Sequence, residues 1–310
     1  MPPLSNAFKR TGLTITKGQN ATVWDQQNQE YTDLTGGLGT AIIGHCAIEV
    51  ADAIQTQSMK LVNASNVHLQ DTPLKLAKTL THLSNTTSCF LTNSGTESLE
   101  TAIKLSRKKG KPHLVACDQA FHGRTLGALS LTHEAYRRGF SPLLPHVTHV
   151  PFNNPDALKK AVTPKTAAFI VEPIQGEGGV NVPNSDYLQH AAEICAKNDV
   201  LLILDEVQTA YRTGNWFFFQ NVGIKPDVIA TAKPLANGLP LGADHESYAA
   251  GGKPDGVEFL GEASLEFFGS GVQASFLYGV NDGKSCCGAQ RIAAEGGAVF
   301  AWGKVQVFAV

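Results

Sequence analysis

Between about Thr86 and Ala243 short apolar runs alternate with helix-like segments, and the runs hand over to polar or charged residues where they end. Strands are expected at Thr87–Leu91, His113–Cys117, Val147–Val150, Ala167–Val171, Val200–Leu204 and Val228–Thr231, the last of them. Helices are expected at Thr96–Lys109, Thr125–Arg138 and Tyr187–Lys197. The strand runs are nearly all apolar instead of alternating with polar residues. That is the mark of a parallel sheet covered on both faces. The pattern therefore predicts an α/β doubly wound fold, in which ligands sit beyond the carboxyl ends of the strands.

The flanks differ from this layered centre. Residues 1–85 read as an N-terminal arm and part of a small domain, with a hairpin over Ala21–Tyr31, a glycine turn at Gly36, Gly37 and Gly39, and a helix over Ala47–Met59. Residues 86–243 form the large domain. The tail, Asp244–Val310, is rich in glycine and poor in leucine and shows no sustained helical period; only Ala298–Val310 reads as strand.

Composition narrows the function classes. With 310 residues, 43% of them hydrophobic, the chain can bury a sizeable core, and a net charge of -2 implies no polyanionic partner. Arg107, Lys108 and Lys109 end an expected helix, where cations complement the dipole, so they are no nucleic-acid patch. No run reaches the length of a membrane span. No basic-then-apolar stretch opens the chain, and an intracellular protein of the cytoplasm or mitochondrial matrix is expected. Cys46, Cys89, Cys117, Cys195, Cys286 and Cys287 have no metal-ligand spacing, so no metal is expected.

The chemistry lies in the loops after the strands. Val200–Leu204 delivers Asp205, and Val228–Ala232 delivers Lys233. An acid and a lysine at neighbouring strand ends suit pyridoxal 5'-phosphate, whose aldehyde the lysine bonds and whose ring nitrogen the acid keeps protonated. Ser94-Gly95-Thr96-Glu97 follows one strand and opens a helix. It reads as a capping box or as a phosphate cradle, where Gly95 admits a close approach and the helix start attracts an anion. Phe121-His122-Gly123-Arg124 offers an aromatic to stack on a planar ring and a guanidinium to clamp a carboxylate. Glu172 and Glu177 lie in a glycine-rich loop at the same edge of the sheet.

These motifs, in this order, resemble the class III aminotransferases, over about residues 7–243, with acetylornithine and ornithine aminotransferases the nearest in look. Five stretches read like family motifs: Ser94–Glu97, Phe121–Gly127, Val171–Gly178, Leu204–Gln208 and the lysine segment Ala232–Gly242. The resemblance implies the aspartate-aminotransferase (type I) fold and roles by position. Lys233 would bond the cofactor and shuttle a proton. Asp205 would pair with the pyridine nitrogen. Ser94, Gly95 and Thr96 would hold the phosphate. Phe121 and Val207 would pack on the two ring faces, with Gln208 near the ring hydroxyl. Arg124 would bind a substrate carboxylate, and Glu177 would take part in exchanging amine donor for acceptor. The implied reaction moves an ω-amino group from N-acetylornithine to 2-oxoglutarate in arginine biosynthesis, in a homodimer. Ornithine or 4-aminobutyrate are alternative donors, and a chain that binds the cofactor without turnover is an alternative of another class.

Three stretches depart from the family. Ala210-Tyr211-Arg212-Thr213-Gly214 is a residue short and lacks the usual glycines. Gly44-His45 is followed by Cys46 where the family has proline. From Asp244 the chain carries none of the family pattern, its C-terminal small domain missing or replaced, and the tail reads as a shifted frame or alternative splice.

Overall fold

The structure, a computed structural model, describes residues 4–5, 10–108, 110–247, 263–268 and 271–276. The chain divides into two compact units, Met1–Gly251 and Gly252–Val310. In the first, β1 (Ile15–Gln19), β2 (Thr22–Asp25) and β3 (Glu30–Thr32) make a small antiparallel sheet. The expected hairpin is its β2–β3 half, and Asp25 Oδ1 fastens the turn by accepting from the backbone N–H of Gln27 and Gln29, each at 2.9 Å. The glycine turn follows as α1 (Gly36–Gly39), a single turn with left-handed φ at Gly37 and Leu38. Then come α2 (Ile48–Lys60) and α3 (Asp71–Ser84).

The large sheet is built from β4 (Ser88–Thr92), β5 (His113–Cys117), β6 (Val147–Val150), β7 (Thr166–Val171), β8 (Leu201–Asp205), β9 (Val228–Thr231) and β10 (Gly242–Glu246). Their order is β4-β10-β9-β8-β7-β5-β6, parallel throughout except for β10, which runs antiparallel to both neighbours. The helices α4 (Gly95–Arg107), α5 (Leu126–Leu131), α6 (Glu134–Arg137), α7 (Pro155–Ala161), α8 (Tyr187–Lys197) and α9 (Phe219–Val222) connect the strands. All six residues of β7 and all four of β9 are buried, the burial expected of strands covered on two faces. Val115 and Cys117 of β5 enter one core cluster with Phe169, Tyr187, Leu188, Leu202 and Leu204. Leu114 and Ala116 alternate to the opposite face, where α5 packs on β5 while α4 covers β8 and β9. Each fully buried Leu or Phe contributes about 1.5–3 kcal/mol by leaving water.

Four differences from the sequence reading have local causes. The helix expected over Thr125–Arg138 is two short ones, α5 and α6. Between them Thr132 takes an extended backbone and donates its hydroxyl to Gly123 O and Ala128 O, both at 3.0 Å. Helix α3 was not expected; its buried Leu80 packs toward β4. Helix α7 was not expected either, though Asn154 caps it and Pro155 opens it. Val228–Thr231 is not the last strand. β10 follows it into the heart of the sheet and carries Asp244, His245 and Glu246 past the point where the composition changes.

In the second unit the described residues form a hairpin, β11 (Ala263–Phe268) paired antiparallel with β12 (Gly271–Phe276). The strand expected at Ala298–Val310 lies outside the described residues.

Candidate active site

Asp205 ends β8 and is 4% exposed. Its Oδ1 accepts from Val207 N at 3.1 Å, and its Oδ2 lies 2.8 Å from His122 Nδ1. The imidazole is fully buried. Burial alone pushes it toward neutrality, but the hydrogen bond to Asp205, the charge of Asp205 and then that of Glu172 outweigh this and hold it above the usual histidine range. Glu172, at the end of β7, accepts from Phe121 N at 2.9 Å and from Gly176 N at 3.3 Å, so one carboxylate ties the loop after β5 to the loop after β7. Burial pushes Glu172 up to about 7, with His122 pulling it down and Asp205 pushing it up.

Lys233 follows β9 and opens a 3-10 turn, Lys233–Ala236, with φ of 43°. Left-handed backbone at a lysine is costly and persists where the surroundings over-determine it. Burial pushes its ammonium below the usual lysine range. Asp205 and Glu177 oppose that shift, while Arg212 adds to it.

Opposite stands the start of α4. The Ser94 hydroxyl accepts from Glu97 N at 3.3 Å, as a capping box requires. The return bond differs from the expectation: the Glu97 carboxylate accepts from Asn93 N at 2.7 Å, one residue upstream. The first-turn N–H groups of Gly95 and Thr96 have no acceptor within the helix, which makes this end attractive to an anion. Gly95 is required by space, since a Cβ there would stand 2.9 Å from a Val207 methyl.

All these groups face one cavity of about 540 Å³. Its wall brings together every residue expected from the sequence: Ser94, Gly95 and Thr96 from α4; Phe121 and Arg124 after β5; Glu177 after β7; Asp205, Val207 and Gln208 after β8; and Lys233 after β9. His122, Glu172 and Thr40 line it too. The sequence reading assigned no role to His122, although it lies inside a quoted motif. Its partnership with Asp205 needs β5 and β8 on either side of β7, which spacing does not reveal.

A mostly parallel sheet with a lysine, an acid and a helix start converging beyond its strand ends defines a protein class, and the comparisons give the same class. The family described as "Aminotransferase class-III" matches residues 5–249, and the chain belongs to that family. An acetylornithine aminotransferase from Methanosarcina mazei is 43% identical over 240 residues, 76% of this chain and 61% of that protein. The ornithine aminotransferase from Toxoplasma gondii ME49 superposes with a TM-score of 0.76 at 31% identity, covering 79% of this chain and 61% of the other. A second structure of the Toxoplasma gondii enzyme, TM-score 0.75 at 31% identity over the same shares, is described with partial occupancy of PLP at the active site. The fold is thus the type I α/β fold of these enzymes, and class III aminotransferases use pyridoxal phosphate. The chain spans about three fifths of the length of the curated relatives it matches, 61% of the Methanosarcina mazei protein. Among the described residues no helix is long and apolar enough to cross a membrane.

Proposed function

We propose that this chain binds pyridoxal phosphate and transfers an ω-amino group from N-acetylornithine, or a similar amine, to 2-oxoglutarate. The observation that carries the reading is the single cavity into which Lys233, Asp205 and the α4 start converge. The cavity residues fit the cofactor. Gly95 and Thr96 open a helix start suited to a phosphate, Asp205 is a buried carboxylate for the ring nitrogen, and Phe121 and Val207 are apolar surfaces for the ring. When bound, the cofactor supplies an electron sink for the carbanion left when a proton leaves the substrate carbon.

The chain's own groups do the rest. The Lys233 amine, biased toward its neutral form by burial, accepts and returns that proton. Asp205, held in place by His122 Nδ1 and Val207 N, is the carboxylate positioned to favour a protonated ring. Arg124 offers a bidentate fork to a substrate carboxylate, with Glu177 at the same wall to balance it when the two substrates exchange. Relatives named acetylornithine aminotransferase at 40–44% identity support this amine over ornithine or 4-aminobutyrate. A second copy of the chain is the expected partner. Leu34, Leu38, Ile42 and Ile43 are exposed apolar side chains close in sequence to the cavity residue Thr40.

The test is to add pyridoxal phosphate to the purified chain and follow its visible absorbance. The lysine-linked cofactor should form in the wild type and not in Lys233→Ala, and N-acetylornithine should bleach it. A band that N-acetylornithine leaves unchanged favours the second reading, a cofactor-binding chain without turnover. That reading is favoured by Asp244, a carboxylate buried in β10 with no hydrogen-bond partner among the described residues.

A further inference from the structure

We propose that Asn237 is a positioning residue, a clasp that fixes residues 36–44 against the lysine turn and so shapes the cavity wall carried by Thr40. The proposal rests on the reading of that cavity as the substrate site. Asn237 ends the 3-10 turn that Lys233 opens, in a left-handed conformation with φ of 49°. Its side chain reaches nearly two hundred positions back along the chain. The Oδ1 accepts from Ile43 N at 3.2 Å, and the Nδ2 donates to Gly44 O at 2.9 Å. One side-chain amide thus satisfies a donor and an acceptor on successive residues of another segment, as a strand neighbour would. The same segment is bonded a second time near its other end, where Arg212 Nη2 donates to Gly39 O at 2.5 Å. Between these two bonds lies Thr40, which lines the cavity and whose hydroxyl donates to Gly37 O at 2.9 Å. Lys233 and the Thr40 wall are therefore joined through four residues of turn and one amide. That joint also helps to account for the left-handed backbone at Lys233, which needs its turn anchored from outside.

The variants are Asn237→Gly, which keeps left-handed backbone available while removing the amide, and Asn237→Asp, which keeps the acceptor for Ile43 N and loses the donor to Gly44 O. Amide exchange of Ile43 is the direct readout, with the Leu204 and Ile229 amides reporting that the sheet is intact. Loss of one hydrogen bond should speed Ile43 exchange about 3- to 10-fold in Asn237→Gly, with Asn237→Asp staying near wild type. With the cofactor loaded, KM for the amine should rise about 3- to 10-fold while kcat stays within about twofold, because the wall contributes uniform binding. Equal Ile43 exchange in wild type and Asn237→Gly overturns the clasp, and faster exchange with both kinetic constants unchanged overturns its positioning role. Should Asn237→Gly lose the Leu204 and Ile229 protection, the wild type decides: Ile43 exchanging there like an unstructured amide overturns the clasp. A wild type that never takes up pyridoxal phosphate would overturn the functional reading instead, with Ile43 exchange still deciding the clasp.

Discussion

His122 and Asp205 form a buried pair, Nδ1 to Oδ2 at 2.8 Å, at the base of the cavity and joined across three strands of the sheet. Burial works against the histidine's charge, and the hydrogen bond to Asp205 and the charge of that carboxylate outweigh it and hold the imidazole above its usual range. Removing it by His122→Phe strands a buried carboxylate and should cost about 3–5 kcal/mol of stability. The pair's contribution follows the raised histidine. It is fully present below the unfolded histidine value of about 6.5 and is lost as pH rises through the higher folded one. Urea unfolding of wild type and variant on the two sides of that window measures it. A gap between the two proteins that widened with rising pH would contradict the assignment.

The α4 cradle can be tested without touching a polar group. Gly95→Ala places a methyl 2.9 Å from a Val207 methyl, in the first turn of the helix read as the phosphate cradle. Overpacking of this kind costs about 1–3 kcal/mol, so affinity for pyridoxal phosphate should fall by about tenfold or more. Titration of the visible absorbance gives the number, and an unchanged affinity would place the phosphate elsewhere.

Arg124→Lys keeps the charge and loses the planar fork. If Arg124 grips a substrate carboxylate, KM for 2-oxoglutarate should rise about tenfold while the cofactor spectrum is unaltered. A changed spectrum with normal KM would mean that the guanidinium serves the cofactor instead.

Asp244 is wholly buried in β10, and neither carboxylate oxygen has a hydrogen-bond partner among the described residues. Burial drives it well above the usual carboxylate range, and Glu246 and then Asp205 push in the same direction. The folded chain therefore holds a proton that the unfolded chain releases. Stability is highest below the unfolded value of about 3.9 and falls as pH rises toward the folded one. Asp244→Asn should add about 2 kcal/mol or more at neutral pH and flatten that decline. Thermal unfolding across pH is the measurement, and a variant less stable than wild type at neutral pH would refute it.

The legible parts were those where type and order of residue carry the chemistry. Asp205 and Lys233 end apolar runs, and Gly95 begins a helix after one; all three meet in the cavity. Two kinds of feature stayed hidden. His122 acts through a neighbour 83 positions away, which only the strand order supplies. The β10 strand reads as polar because Asp244, His245 and Glu246 are charged or polar types, yet all three are buried between β4 and β9. Helix α3 was missed although its signal was there: Leu76, Leu80 and Leu83 recur at helical spacing after Asp71.

The position of β10 sets an order of events for a chain emerging from the ribosome. In the sheet order β4 meets its neighbours' ladder only through β10, the last strand of this sheet to be made. The strand that leads into the Ser94–Thr96 cradle is translated more than a hundred residues before the strand that stitches it beside β9. Until Glu246 has left the exit tunnel, the anion-binding end and the lysine end of the pocket belong to two incomplete pieces of sheet. Cofactor capture should therefore be a late event in biogenesis, timed by a strand that contributes no side chain expected to touch the cofactor.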